Sequence, residues 1–74
     1  MQTKFKRHQR VKILRSPDPE YVEYYGVEVP IVKGMNGKIN ILLPNGKYHV
    51  EILDKKGNTL AYAPFEEEDL EGVD

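Results

Sequence analysis

Pro44-Asn45-Gly46-Lys47 lies between two runs of alternating apolar residues, Lys38-Ile39-Asn40-Ile41-Leu42-Leu43 and Tyr48-His49-Val50-Glu51-Ile52-Leu53. No other feature constrains the fold so strongly. Asn-Gly supplies the positive φ angles of a two-residue type I′ turn, whose twist matches that of paired strands. The sequence therefore predicts an antiparallel hairpin, with Ile39, Ile41 and Leu43 repeating on one face of its first strand. Asp54-Lys55-Lys56-Gly57-Asn58 reads as a second turn, its glycine placed for the left-handed position of a bulged hairpin. Thr59-Leu60-Ala61-Tyr62-Ala63 then forms the next strand, which Pro64-Phe65 interrupts. Glu66 to Asp69 suits a single helical or 3-10 turn, and Leu70-Glu71-Gly72-Val73 a last short strand.

Upstream of the hairpin, Gln9 to Ser16 alternates Val11 and Ile13 against Arg10 and Lys12, the period of a half-buried first strand. Ser16-Pro17-Asp18-Pro19 stops it, because each proline lacks a donor and biases the preceding residue away from helix. A long loop follows. Within it, Asp18 to Gly26 has the grammar of a helix of at most two turns, with Asp18 as N-cap, Pro19 at the first position and Gly26 beyond the end. The alternative is an extended loop hairpin in which Val27, Val29 and Ile31 alternate toward the core. Gly34-Met35-Asn36-Gly37 reads as the turn leaving this loop.

About five short strands in 74 residues leave room for one core and are too few for a two-sheet sandwich. They fit an all-β, SH3-like, partly open barrel with a long first loop and one tight turn before the last strand. Its core is expected to draw on Val11, Ile13, Val29, Ile31, Met35, Ile39, Ile41, Val50, Ile52, Leu60, Tyr62, Phe65 and Leu70. The barrel domain is placed at residues 9–73, preceded by a basic N-terminal arm at residues 1–8 that need not be ordered.

Within the SH3-like barrels, three stretches carry a resemblance to the electron-transport accessory group. They are Gln9-Arg10-Val11-Lys12-Ile13-Leu14 as opening strand, Lys33-Gly34-Met35-Asn36-Gly37-Lys38-Ile39 as loop exit, and Phe65-Glu66-Glu67-Glu68-Asp69-Leu70-Glu71 as closing turn and strand. The layout is similar to the variable chain of ferredoxin–thioredoxin reductase, photosystem I reaction-centre subunit IV and the barrel of the nitrile hydratase β subunit. This resemblance implies a non-catalytic subunit docking on a larger enzyme or redox complex. In strand order the chain also resembles the KOW-type barrels of ribosomal and transcription proteins, but those carry a basic surplus, and the net charge here is −1.

The absence of cysteine removes thiolate metal sites, cysteine nucleophiles and disulfides. His8 and His49 are the only histidines and Ser16 the only serine, so no catalytic triad or histidine metal site can be assembled. Glu66-Glu67-Glu68-Asp69 lacks the spaced oxygens and glycine of a calcium loop, and Gly34 to Lys38 lacks the spacing of a phosphate-binding loop. No enzymatic activity, cofactor or metal is expected. No apolar run approaches the roughly 18 residues that cross a bilayer. No apolar stretch follows the basic N-terminus as a secretory signal would require, so the expected location is the cytoplasm, without membrane association.

Two candidate surfaces remain. Tyr21, Tyr24 and Tyr25 lie in the long loop beside Glu20 and Glu23, and tyrosine offers large contact area with a polar tip at low entropic cost. This set is the expected protein-binding surface, at least one tyrosine packing on the core and at least one exposed. Alternatively, Lys4, Lys6, Arg7, Arg10 and Lys12 bind nucleic-acid phosphates. The charge distribution bears on this choice: residues 1–15 hold six bases and no acid, and residues 63–74 six acids and no base. If the first and last strands are neighbours, these charges face each other within the molecule.

Overall fold

The computed structural model describes residues 4–73. Six strands form one antiparallel sheet: β1 (Arg10–Ile13), β2 (Glu23–Tyr24), β3 (Asn36–Leu42), β4 (Tyr48–Leu53), β5 (Thr59–Phe65) and β6 (Leu70–Gly72). Their order is β2-β5-β4-β3-β1-β6, and among the described residues no ladder joins the two outer strands. The protein is thus all-β, with one strand more than the five expected. The addition is β2, inside the long loop, where Glu23 and Tyr24 pair with Tyr62 and Ala61. That pairing ends the helical grammar of the segment. A 3-10 turn forms over Pro19–Tyr21, Asp18 makes no side-chain cap, and Val22 is already extended. A second 3-10 turn, Glu67–Asp69, precedes β6 as the sequence predicts.

Alternation governs the packing. In β4, Tyr48, Val50 and Ile52 are buried while His49, Glu51 and Leu53 are partly covered, so one face of the sheet closes on the core. Val11, Ile13, Ile39, Ala61, Ala63, Phe65, Leu70, Ile31 and Phe5 complete it. Small Ala61 and Ala63 on β5 face Ile52 and Val50 of β4, and Phe65 faces Tyr48. Val29 and Met35 pack partly against this core, and Leu60 and Tyr62 face the other way on β5.

Beyond Leu60 and Tyr62, both expected in the core, further local readings are corrected by the structure. Ile41 is not in the core: the β3–β4 register shifts between Ile39 and Ile41, so that Ile39 faces Val50 and Ile41 faces His49. One extra residue in a strand inverts the facing of those beyond it, and Ile41 is 40% exposed. The turn at Asn45-Gly46 is not type I′, since only Gly46 there has a positive φ, 85°. Pro44, whose ring fixes a negative φ and which has no N–H for a ladder, instead opens a three-residue bulged turn. Gly46 N–H donates to Leu43 O at 3.1 Å and Leu43 N–H to Lys47 O at 2.8 Å. The second turn follows the same scheme, as read from the sequence, with Gly57 at φ 88°. Finally, Pro64 does not interrupt β5. Beyond Tyr62 this strand has β4 alone as a ladder partner, and a strand edge tolerates a missing donor.

Gly37 belongs to β3 rather than to the preceding turn, facing Val11 on one side and Ile52 on the other. A Cβ at this position would lie 2.8 Å from Val50 Cγ1 and 3.2 Å from the Glu51 carbonyl. Only glycine fits there without displacing β4.

The core begins before residue 9. Phe5, within the segment read as an arm, is 2% exposed and meets Tyr48 edge-on at a ring separation of 5.5 Å. The Tyr48 hydroxyl accepts from the N–H groups of Lys4 at 3.0 Å and Phe5 at 3.3 Å, and donates to Glu67 Oε2 at 2.7 Å. Lys4 N–H also reaches Glu67 Oε2, at 2.9 Å. The segment then turns at His8, whose φ is 70°, and His8 N–H donates to Ile39 O at 2.7 Å. Residues 1–3 of the expected arm lie outside the described residues.

Candidate functional site

The long excursion between β1 and β3 is pinned at its base. Gly34 N–H donates to Ile13 O at 2.8 Å, Ile13 N–H to Met35 O at 3.0 Å and Leu14 N–H to Asp69 O at 2.8 Å. Gly34, at φ 95°, provides the left-handed position that reverses the chain into β3. Farther out, the β2–β5 pairing and a 3.0 Å bond from Tyr25 N–H to Leu60 O hold the excursion along β5. Val22, Tyr24 and Val29 pack on the core and Ile31 is inside it.

These anchors leave the alternate residues outside. Tyr21 is 60% exposed, Tyr25 74%, Val27 83% and Val32 50%. The three loop tyrosines therefore divide: Tyr24 lies against the core, and Tyr21 and Tyr25 face solvent. Glu20 and Glu23 are exposed beside them. From Ser16 to Ile31 the chain holds Asp18, Glu20, Glu23 and Glu28 and no base. The surface is thus apolar and acidic at once. On the adjoining β5, the Tyr62 phenol is pushed up first by burial and then by Glu51 of β4, Tyr25 and Glu23.

Tyr21 also borders a cleft of about 150 Å³ whose walls include Pro17, Pro64 and Phe65. Two ion pairs line its rim, Arg15 Nη1 to Asp69 Oδ2 at 3.7 Å and Lys47 Nζ to Glu66 Oε2 at 3.5 Å. The lining is thus mixed, with Pro17, Pro64 and Phe65 beside the two ion pairs. Sequence reading finds Tyr21 but not this cleft, because Pro17, Pro64 and Phe65 meet only through tertiary packing.

Of the five basic residues proposed for phosphate contact, Arg10 and Lys12 alternate on β1 and share the face opposite buried Val11 and Ile13, while Lys4, Lys6 and Arg7 lie on the segment before it. The Lys4 backbone is bound to Tyr48 and Glu67, and its ammonium lies 5.4 Å from the Phe5 ring centre. Lys6 N–H donates to Gln9 Oε1 at 3.0 Å, and Arg7 Nε to Asn40 O at 3.1 Å. Lys12 sits opposite Glu71 on β6, and Arg10 opposite Lys38 on β3. First and last strands are therefore neighbours, and part of the terminal charge asymmetry is met within the molecule.

His49 lies on the outer face of β4, stacked on Tyr62 at 5.4 Å and 7° between ring planes, with Asn40 Nδ2 3.0 Å from its Nδ1. Among the described residues no three His, Asp or Glu side chains gather to hold a metal ion, and no helix is long and apolar enough to cross a membrane. No protein-family model, curated protein or solved structure matches the chain.

Proposed function

We propose that the protein is a non-catalytic interaction module, a small accessory or regulatory subunit that binds a protein partner through the excursion between β1 and β3. One observation carries this reading. Five of the seven large hydrophobic residues exposed among the described residues, Leu14, Tyr21, Tyr25, Val27 and Val32, lie on this excursion. Exposed apolar residues concentrated on one segment of a small domain suit an interaction role. Because the polar neighbours of Tyr21, Tyr25 and Val27 are acidic, the partner presents apolar area bordered by basic residues. We further infer an SH3-like barrel, closest in layout to the electron-transport accessory barrels. The strand order, the long first excursion and the 3-10 turn before the last strand support this.

The alternative, a nucleic-acid-binding barrel using Lys4, Lys6, Arg7, Arg10 and Lys12, has less support, because the net charge is −1 and Lys12 lies opposite Glu71 on β6. Affinity capture from native lysate separates the two readings. A stoichiometric protein retained after nuclease treatment and a high-salt wash is the expected result. Retained material that disappears with either treatment overturns it, since phosphate contacts weaken steeply with salt.

A further inference from the structure

The two lysines at the tip of the β4–β5 turn are absent from the interaction surface described above, and the turn places them beside Arg10. Arg10, Asn36, Gly37, Lys55, Lys56 and Gly57 line an open groove of about 400 Å³ over the start of β3. Asn36 faces both Lys12 of β1 and Leu53 of β4, so the turn that follows Leu53 projects past the end of β3 and walls the groove. Arg10, Lys55 and Lys56 thus line one groove from two elements far apart in sequence.

Asp54, the acid in the groove lining, is directed into its own turn. Its Oδ1 accepts from Lys56 N–H at 2.9 Å and Asn58 N–H at 2.8 Å, and Oδ2 from Asn58 Nδ2 at 3.3 Å. These donors hold its charge and fix the turn that presents the lysines. Ion pairs among the described residues join Arg15 to Asp69 and Lys47 to Glu66, and neither uses a groove cation.

We propose that this groove binds a ligand through its phosphate groups. A guanidinium offers paired donors matched to phosphate oxygens, two ammonium groups add charge from the opposite wall, and the Asn36 amide adds a neutral donor. The groove is larger than one phosphate and has no aromatic ring in its lining, so it recognises consecutive phosphates rather than a base. A free oligophosphate and the backbone of a single-stranded nucleic acid share that chemistry. The proposal stands apart from the loop surface, and either can fail without the other.

The test is titration of the isotopically labelled protein with pyrophosphate, and separately with a twelve-nucleotide oligothymidylate, at ionic strength matched with sodium chloride. Amide shifts centred on Lys55 to Gly57 and on Asn36 and Gly37 are expected. They vanish in Lys55→Gln/Lys56→Gln and in Arg10→Gln, whose spectra otherwise stay native, and persist in Lys33→Gln, which alters an exposed lysine outside the groove. Binding of pyrophosphate alone assigns a free phosphate ligand. Binding of the oligonucleotide, with a salt slope that falls by about 1 per cation removed, assigns a nucleic-acid backbone. No shift beyond that of sodium chloride, shifts centred on Lys4 to Arg7, or shifts that survive the groove variants would overturn the proposal.

Discussion

At the scale of single residues, the stability of the domain rests on contacts that composition does not reveal. Tyr48 and Glu67 hold the N-terminal segment between them, and each changes the other's titration. The Tyr48 hydrogen bond, followed by the Lys4 N–H, holds the Glu67 carboxyl below its ordinary value of 4.5. Burial, followed by the bond to Glu67, pushes the Tyr48 phenol above 10.0. A depressed carboxylate contributes stability that is complete above its unfolded value and is lost as pH falls through its folded one. The raised phenol contributes stability that is complete below its unfolded value and is lost as pH rises through its folded one. Denaturation followed across pH should therefore show a plateau with an acid shoulder below about 4.5, and Glu67→Gln should reduce that shoulder, leaving the part due to Asp54, which its turn donors also hold low. An unchanged acid limb in the variant would dissociate Glu67 from the contact. Tyr48→Phe should cost about 1 to 2 kcal/mol, because the Phe5 N–H loses its partner in a buried setting. Gly37→Ala should cost about 1 to 3 kcal/mol in the same measurement, because the added methyl meets Val50 and the β4 backbone. A neutral result would mean that β3 and β4 separate more easily than their close approach implies.

The strands show why some elements were legible in the sequence and others were not. Strands β1, β3, β4, β5 and β6 follow from period-2 alternation and turn residues, which act locally, and β4 coincides with its expected bounds. The hairpin turn differed because Pro44 overrides the preference of the Asn-Gly pair, and Ile41 because the extra residue at the β3 bulge leaves no mark on alternation. β2 was illegible for another reason. Glu23-Tyr24 has no strand pattern of its own and is extended because β5 offers it a partner. The N-terminal segment was misjudged because Lys6, Arg7 and His8 mask the single apolar residue that matters. Phe5→Ala should therefore destabilise the domain by about 3 to 5 kcal/mol, the usual cost of removing a buried phenyl ring. A loss below about 0.5 kcal/mol, the range of a surface site, would place Phe5 outside the core, in keeping with an arm that precedes the domain.

For the molecule as a whole, the sheet carries the β1–β3 excursion and the β4–β5 turn, on which both proposed binding surfaces lie. The tyrosine-bearing loop was found from sequence because tyrosines beside acids in a proline-bounded loop are a local pattern. The Tyr21 cleft and the Arg10–Lys55–Lys56 groove were not, because each joins segments more than forty residues apart. Tyr21 and Tyr25 are exposed, so exchanging both for serine should change stability by less than about 0.5 kcal/mol while removing large contact area. The most direct test of the interaction reading is therefore quantitative capture from nuclease-treated native lysate with three baits: the native chain, Tyr21→Ser/Tyr25→Ser and Lys55→Gln/Lys56→Gln. A shared stoichiometric partner retained by the native chain and the lysine variant, and lost from the equally stable tyrosine variant, is the predicted result. Retention of the same partner by the tyrosine variant would contradict the assignment of this loop as the binding surface.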